Sequence, residues 1–150
     1  MHFLLDKLMP IELRPIDLKI SLDEHQAALA ASLAKANLVP GSAAGLIPDG
    51  FRPATSLHVS FGSKAVELGT FLRVGECKRA PTLVFTAAAD AGENPSYGLI
   101  FTDPDAPTPD EPKFAFWRHW VLSGLRPHSV DAVATASQLT AYLGPGPKDE

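Results

Sequence analysis

The sequence predicts a mainly β protein, an antiparallel β-sandwich that carries an N-terminal helix. Short apolar or alternating runs recur about every ten residues, each closed by turn residues, which is how sandwich strands read. Proline and glycine, 14 and 11 in 150 residues, are too frequent for long helices. Only one stretch, near the N-terminus, has helical character. The length suits a single domain over residues 1–150 with a buried core.

Residues 1–20 alternate weakly, contain Pro10 and Pro15, and read as an irregular N-terminal arm. Ser21-Leu22-Asp23-Glu24 has the form of a capping box, with Ser21 as N-cap and Glu24 reaching back. The alanine-rich run that follows predicts a helix over 22–37, ended by Asn37 and Pro40-Gly41. Leu22, Leu29, Leu33 and Ala36 form one stripe, expected to pack on a sheet or on the arm. Residues 40–56 read as loop.

The β-rich core is expected over 57–143. Leu57 to Phe61 alternates as a half-buried strand, and Gly62-Ser63 turns the chain. Residues 64–76 hold a strand fragment and a turn. Thr82 to Ala87 is β-branched, aromatic and apolar, hence a buried strand. Residues 90–96 are turn chemistry, and Tyr97 to Thr102 is the next strand. Trp117 to Leu122 is another, with Trp117, His119 and Val121 on one face and Arg118, Trp120 and Leu122 on the other. A last strand or turn is expected near Leu139 to Leu143.

Composition removes several function classes. The net charge is −4 and no dense basic cluster exists, so binding of nucleic acid through its phosphates is not expected. The single cysteine, Cys77, cannot form an intrachain disulfide, which fits a reducing compartment. The N-terminal apolar run is too short for a secretory signal, and none approaches the ~20 residues of a membrane span. A cytoplasmic protein is expected.

The chemistry gathers at Asp103-Pro104-Asp105-Ala106-Pro107 and Trp117-Arg118-His119-Trp120. Proline fixes φ and holds the preceding residue extended, so both carboxylates sit on a stiff turn. Ala106-Pro107 is a candidate cis peptide, since the chain must turn sharply there. If Asp103 reaches His119, its carboxylate fixes the imidazole tautomer and favours the charged ring. A phosphate beside two acids is favourable only where a proton or an ammonium group offsets them, which suits a zwitterionic headgroup such as phosphoethanolamine. Asp turns that bond their own backbone, and a histidine satisfied within a strand, are the plainer readings. No catalytic residue, metal or cofactor is expected: no Gly-x-Ser-x-Gly elbow accompanies Ser60 or Ser123, and nothing gathers three metal ligands. Lys78 and Arg79 could lower the Cys77 pKa, but no partner histidine or second cysteine is near in sequence. His25, His58 and His128 read as surface or edge residues.

These two motifs resemble the phosphatidylethanolamine-binding protein family, also called Raf kinase inhibitor proteins. Weaker likeness runs from about Leu57 to the Tyr142-x-Gly144-x-Gly146-Pro147 run. The segment Val39-Pro40-Gly41 to Ile47-Pro48 looks like the fungal, carboxypeptidase-inhibitor-like branch. The resemblance implies a small anion pocket for phosphate or phosphoethanolamine-type ligands. Asp103 and His119 match its acid and histidine, with Asp105 beside them. Ala106 and Pro107 match the turn wall, Phe114 the aromatic at the mouth, and Trp117 the pocket tryptophan. Arg118 stands where many members have histidine and should face away. In the family, the glycine–proline run leads to a second histidine motif and a core strand. The sequence reaches Glu150 first, so the resemblance reads the domain as incomplete at its C-terminus. It further implies a binding module, with inhibition of a serine carboxypeptidase or kinase by surface contact as the alternative, and it allows peripheral membrane contact.

Overall fold

The computed structural model describes residues 22–146. The arm over 1–20 and the Ser21 cap lie outside the described residues. The helix α1 runs Leu22–Lys35, with Asp23 and Glu24 in its first turn and Lys35 in its last, as the helix dipole favours. It ends on Asn37, which takes a left-handed φ of 54°. Leu38–Ser42 then makes a kinked turn closed by backbone bonds from Ser42 to Asn37 and from Ala43 to Leu38. None of the helical residues is buried. Of the two expected partners of its stripe, a sheet is not the one found: among the described elements, α1 packs chiefly on the turn that follows it, and the arm lies outside the described residues.

Six strands follow: β1 Leu57–Phe61, β2 Lys64–Val66, β3 Thr82–Phe85, β4 Tyr97–Asp103, β5 Trp117–Leu125 and β6 Ser137–Thr140. All pairings are antiparallel, and they form two three-stranded sheets in the orders β2-β1-β3 and β4-β5-β6. The β1–β2 hairpin turns on Gly62, whose φ of 58° is the left-handed value that a two-residue turn needs at its first position. The strand expected over 82–87 stops at Phe85. Beyond it, Ala87 and Ala88 give their N–H groups to His128 Nε2 at 3.5 Å and Tyr97 Oη at 2.9 Å rather than to a neighbouring strand.

The core lies between the sheets. Leu83 and Phe85 from the first meet Trp120, Leu122 and Leu125 from the second, with Ala132 closing one side. Phe85 and Tyr97 meet edge to face at 5.0 Å. Polar bonds also cross between the two halves. The His128 N–H donates to Phe85 O at 3.0 Å, and Asp131 Oδ1 accepts from Val133 N at 3.0 Å and, at 3.5 Å, from Leu83 N. Asp131 thus caps the short turn Ala132–Thr135 while satisfying an N–H of the facing sheet.

Two irregularities in β5 matter. Phe101 pairs with Trp120 but Thr102 pairs with Arg118, so His119 is an extra residue without a partner on β4. Further on, Leu99 pairs with Leu122 and Tyr97 with Leu125; that slip is absorbed at Gly124, whose φ is 78°. The bulge overturns the expected alternation. His119 and Trp120 are both buried, at 8% and 1% exposure, while Trp117 and Arg118 are both exposed. Strict alternation would have kept the ring and the indole on opposite faces.

Leu122 is 1% exposed at the centre of this core, so Leu122→Ala should cost about 2–5 kcal/mol. Val130→Ala, at a side chain 80% exposed, should stay within about 0.5 kcal/mol, both read from urea midpoints.

Candidate functional site

His119 is the one buried charged or polar side chain among the described residues. The bulge places it at the end of the second sheet, where Phe101 lies against its ring at a centroid distance of 5.2 Å. Leu143 holds it twice over. The Leu143 N–H donates to the His119 carbonyl at 2.8 Å, and His119 Nδ1 donates to the Leu143 carbonyl, also at 2.8 Å. A carbonyl oxygen only accepts, so the proton sits on Nδ1. His119 Nε2 has no hydrogen-bond partner among the described residues.

The segment bearing Leu143 is itself fixed. Tyr142 Oη donates to Cys77 O at 2.6 Å, and the Tyr142 ring meets Trp120 edge to face at 5.5 Å and stacks on Phe101 at 6.3 Å. Burial pushes the Tyr142 phenol above its ordinary pKa, with a further contribution from Cys77, so it stays a donor. Gly144 passes so close to the Cys77 carbonyl oxygen that any Cβ there would run into it. Trp120 Nε1 donates to Gln138 Oε1 at 3.2 Å, tying β5 to β6 beside the histidine.

The Asp-Pro turn closes the same end. Asp103 ends β4 opposite Trp117. Its place two residues from Phe101 puts it on the face of β4 that bears the ring packed on His119. The acid and the imidazole thus share a side of the sheet, but no hydrogen bond or ion pair joins them. Here the expected contact is corrected: the Leu143 carbonyl, not the Asp103 carboxylate, fixes the tautomer. Asp103 Oδ1 instead accepts from the Asp105 N–H at 3.1 Å, a turn-forming bond.

The remaining expected residues divide into two groups. The Phe114 N–H donates to Ala106 O at 2.9 Å, folding the loop back on itself, and the Ala106-Pro107 peptide is cis. Phe114 and Trp117 meet edge to face at 6.3 Å and remain about half exposed. Asp103, Ala106, Phe114, Trp117 and His119 are therefore linked through one strand end and its loop, with Pro107 exposed at the turn. Asp105, bonded to Asp103 through its N–H, lines a recess beside α1 that His119 does not line. Sequence reasoning missed Leu143 and Phe101 as the groups that hold the ring, since a backbone carbonyl leaves no residue-type signal.

Other candidates resolve plainly. Cys77 is buried, and burial, then the Glu76 charge, raises its thiol pKa, opposite to the effect expected from Lys78 and Arg79. Glu76 instead sits below the usual carboxylate range, through the Arg73 N–H and then Lys64 Nζ at 3.1 Å. His58 is half-buried on the central strand β1, with Nε2 shut from solvent and without a partner among the described residues, so it is neither a surface nor an edge residue. Among the described residues, no three His, Cys, Asp or Glu side chains gather as a metal site. No described helix is long and apolar enough to cross a membrane.

An antiparallel two-sheet protein with a buried histidine at a proline-rich strand end is the class these features define. Comparison places it further. A family model described as phosphatidylethanolamine-binding protein matches residues 51–150. The rice (Oryza sativa subsp. japonica) Protein MOTHER of FT and TFL1 homolog 2 is 30% identical over 110 residues, which cover 73% of this chain and 60% of the relative. A crystal structure of a phosphatidylethanolamine-binding protein from Plasmodium falciparum shares the fold, with a TM-score of 0.64 at 23% identity over 79% of this chain and 62% of that one. The chain belongs to the phosphatidylethanolamine-binding protein family.

The close pass of Gly144 yields a test of how the histidine is held. Gly144→Ala should lower stability by about 1–3 kcal/mol, because the backbone bearing Leu143 must lift off Cys77. Thermal unfolding against Gly146→Ala, where a Cβ meets nothing within 4 Å, measures it.

Proposed function

We propose that the chain is a binding module, not an enzyme, for small phosphate-bearing ligands of the phosphoethanolamine type. One observation carries the reading: a buried imidazole is clamped through Nδ1 while its Nε2 is left without a partner. Because Leu143 keeps the proton on Nδ1, the ring donates from Nε2 only as an imidazolium. An anion stabilises that form, and a phosphate oxygen is a strong acceptor for it.

The neighbouring groups fit the rest of such a ligand. The Asp103 carboxylate repels a bare phosphate but attracts an ammonium, so a headgroup carrying both charges satisfies both residues. Ala106 and Pro107 form the turn wall, and the exposed edge of the Phe114–Trp117 pair offers apolar contact for an attached chain. The family's description by phosphatidylethanolamine binding supports this ligand class. A headgroup presented by a bilayer would bring the protein to the membrane surface. The buried lone Cys77 suits a reducing cytoplasm.

A second reading, inhibition of a serine carboxypeptidase or kinase by surface contact as in the fungal branch, draws on exposed apolar side chains. Phe71 is 79% exposed and Val130 80%. That reading leaves His119 without a role.

Titration of the 150-residue chain with phosphoethanolamine, followed by amide NMR, separates the two. Saturable shifts are expected around His119, Asp103 and Leu143, lost in His119→Ala and weakened in Phe114→Ala, an exposed site that should not perturb folding. Shifts unchanged in a folded His119→Ala protein would remove the histidine from the site.

A further inference from the structure

One recess of the molecule is not lined by His119. It has a volume of about 510 Å³ and lies between the C-terminal end of α1, the turn after it and the Asp-Pro loop. That volume falls within the usual range for small-molecule sites. Pro109, Pro112 and Phe116 give it apolar walls, and Asn37, Ser42 and Asp105 supply its polar groups.

Three features of this recess are unaccounted for by folding. The half-buried Asp105 carboxylate makes no hydrogen bond or ion pair among the described residues; only its N–H is used, by Asp103. No lysine or arginine among the described residues lines the recess, and the Lys113 ammonium is engaged with Glu111 at 2.7 Å. Ser42 Oγ is shut from solvent and has no partner among the described residues. In addition, Phe116 holds left-handed backbone, at a φ of 60°. That conformation is unfavourable for an aromatic residue, and strain of this kind collects at ligand-binding positions.

We propose that this recess is a second binding site, for an alkylammonium cation on an apolar stem. Asp105 is its counter-charge, and the Phe116 ring with Pro109 and Pro112 covers the stem. An aromatic face beside a carboxylate is well suited to a cation that still carries hydrocarbon. The same chemistry is offered by a free amine and by a lysine side chain of a protein. The site is separate from the phosphate reading, which concerns His119.

The test is an amide NMR titration of the 150-residue chain at constant ionic strength, using n-butylammonium chloride, N-acetyl-lysine methylamide and n-butanol. The ammonium probe should give saturable shifts at Asn37, Ser42, Asp105 and Phe116. Butanol should bind at least about tenfold more weakly, and Asp105→Asn should weaken the ammonium by a similar factor. Asp105 has no side-chain bond to lose, so this variant should melt with the wild type, and its response to phosphoethanolamine at His119 should persist. Tighter binding of the lysine amide points to a protein side chain, and tighter binding of the simple amine to a small ligand; both support the site. Absent saturation, equal binding of butanol, or an unaltered affinity in Asp105→Asn overturns it.

Discussion

The paired hydrogen bonds between His119 and Leu143 are the constraint on which the site depends. Burying an imidazole is costly unless its polar atoms are met, and here the bulge in β5 turns the ring inward where β4 offers it no backbone partner. The segment after β6 supplies what is missing. To do so it must lie close over β5, and several separate features hold it there. Tyr142 is bonded to the Cys77 carbonyl, Gly144 has no side chain to obstruct the approach, and the rings of Phe101, Trp120 and Tyr142 fill the space beneath. The result joins the 3₁₀ turn Val74–Cys77 to the end of the second sheet that bears His119. One nitrogen of the histidine is thereby committed to structure, and the other has no partner among the described residues.

The two aspartates of the Asp-Pro-Asp turn part company for a related reason. Alternation along the extended chain sends Asp103 to the side of Phe101 and His119. Asp105, beyond Pro104, lines the recess beside α1. Asp103 spends one oxygen on the Asp105 N–H, which stiffens the turn and leaves the Asp105 carboxylate uncommitted. The two acids of one proline-rich loop thus have different surroundings: Asp103 is bonded to the Asp105 N–H, and Asp105 lines the recess beside α1.

Much of this was legible in the residues. The alternation of Leu57 to Phe61, the β-branched run after Pro81 and the apolar run into Asp103 each gave a strand close to its observed bounds. The capacity of Ala106-Pro107 for a cis bond followed from proline chemistry. What the sequence hid was relational. Trp117 to Leu122 reads as regular alternation, and nothing in those residue types announces that His119 is an extra residue, because a bulge is set by the partner strand's register. The hold of Leu143 on the imidazole was invisible since any residue carries the same carbonyl. The stripe on α1 suggested packing on a sheet or on the arm, but no helical residue is buried, and the described contacts of α1 fall mainly on the turn after it.

The tautomer of His119 is the most direct measure of this account. A long-range ¹H–¹⁵N correlation spectrum of the imidazole side chains should show the neutral ring carrying its proton on Nδ1, protected from exchange, with a bare Nε2. A proton on Nε2, or rapid averaging between the two nitrogens, would mean that Leu143 does not hold the ring and that no nitrogen is reserved for a ligand.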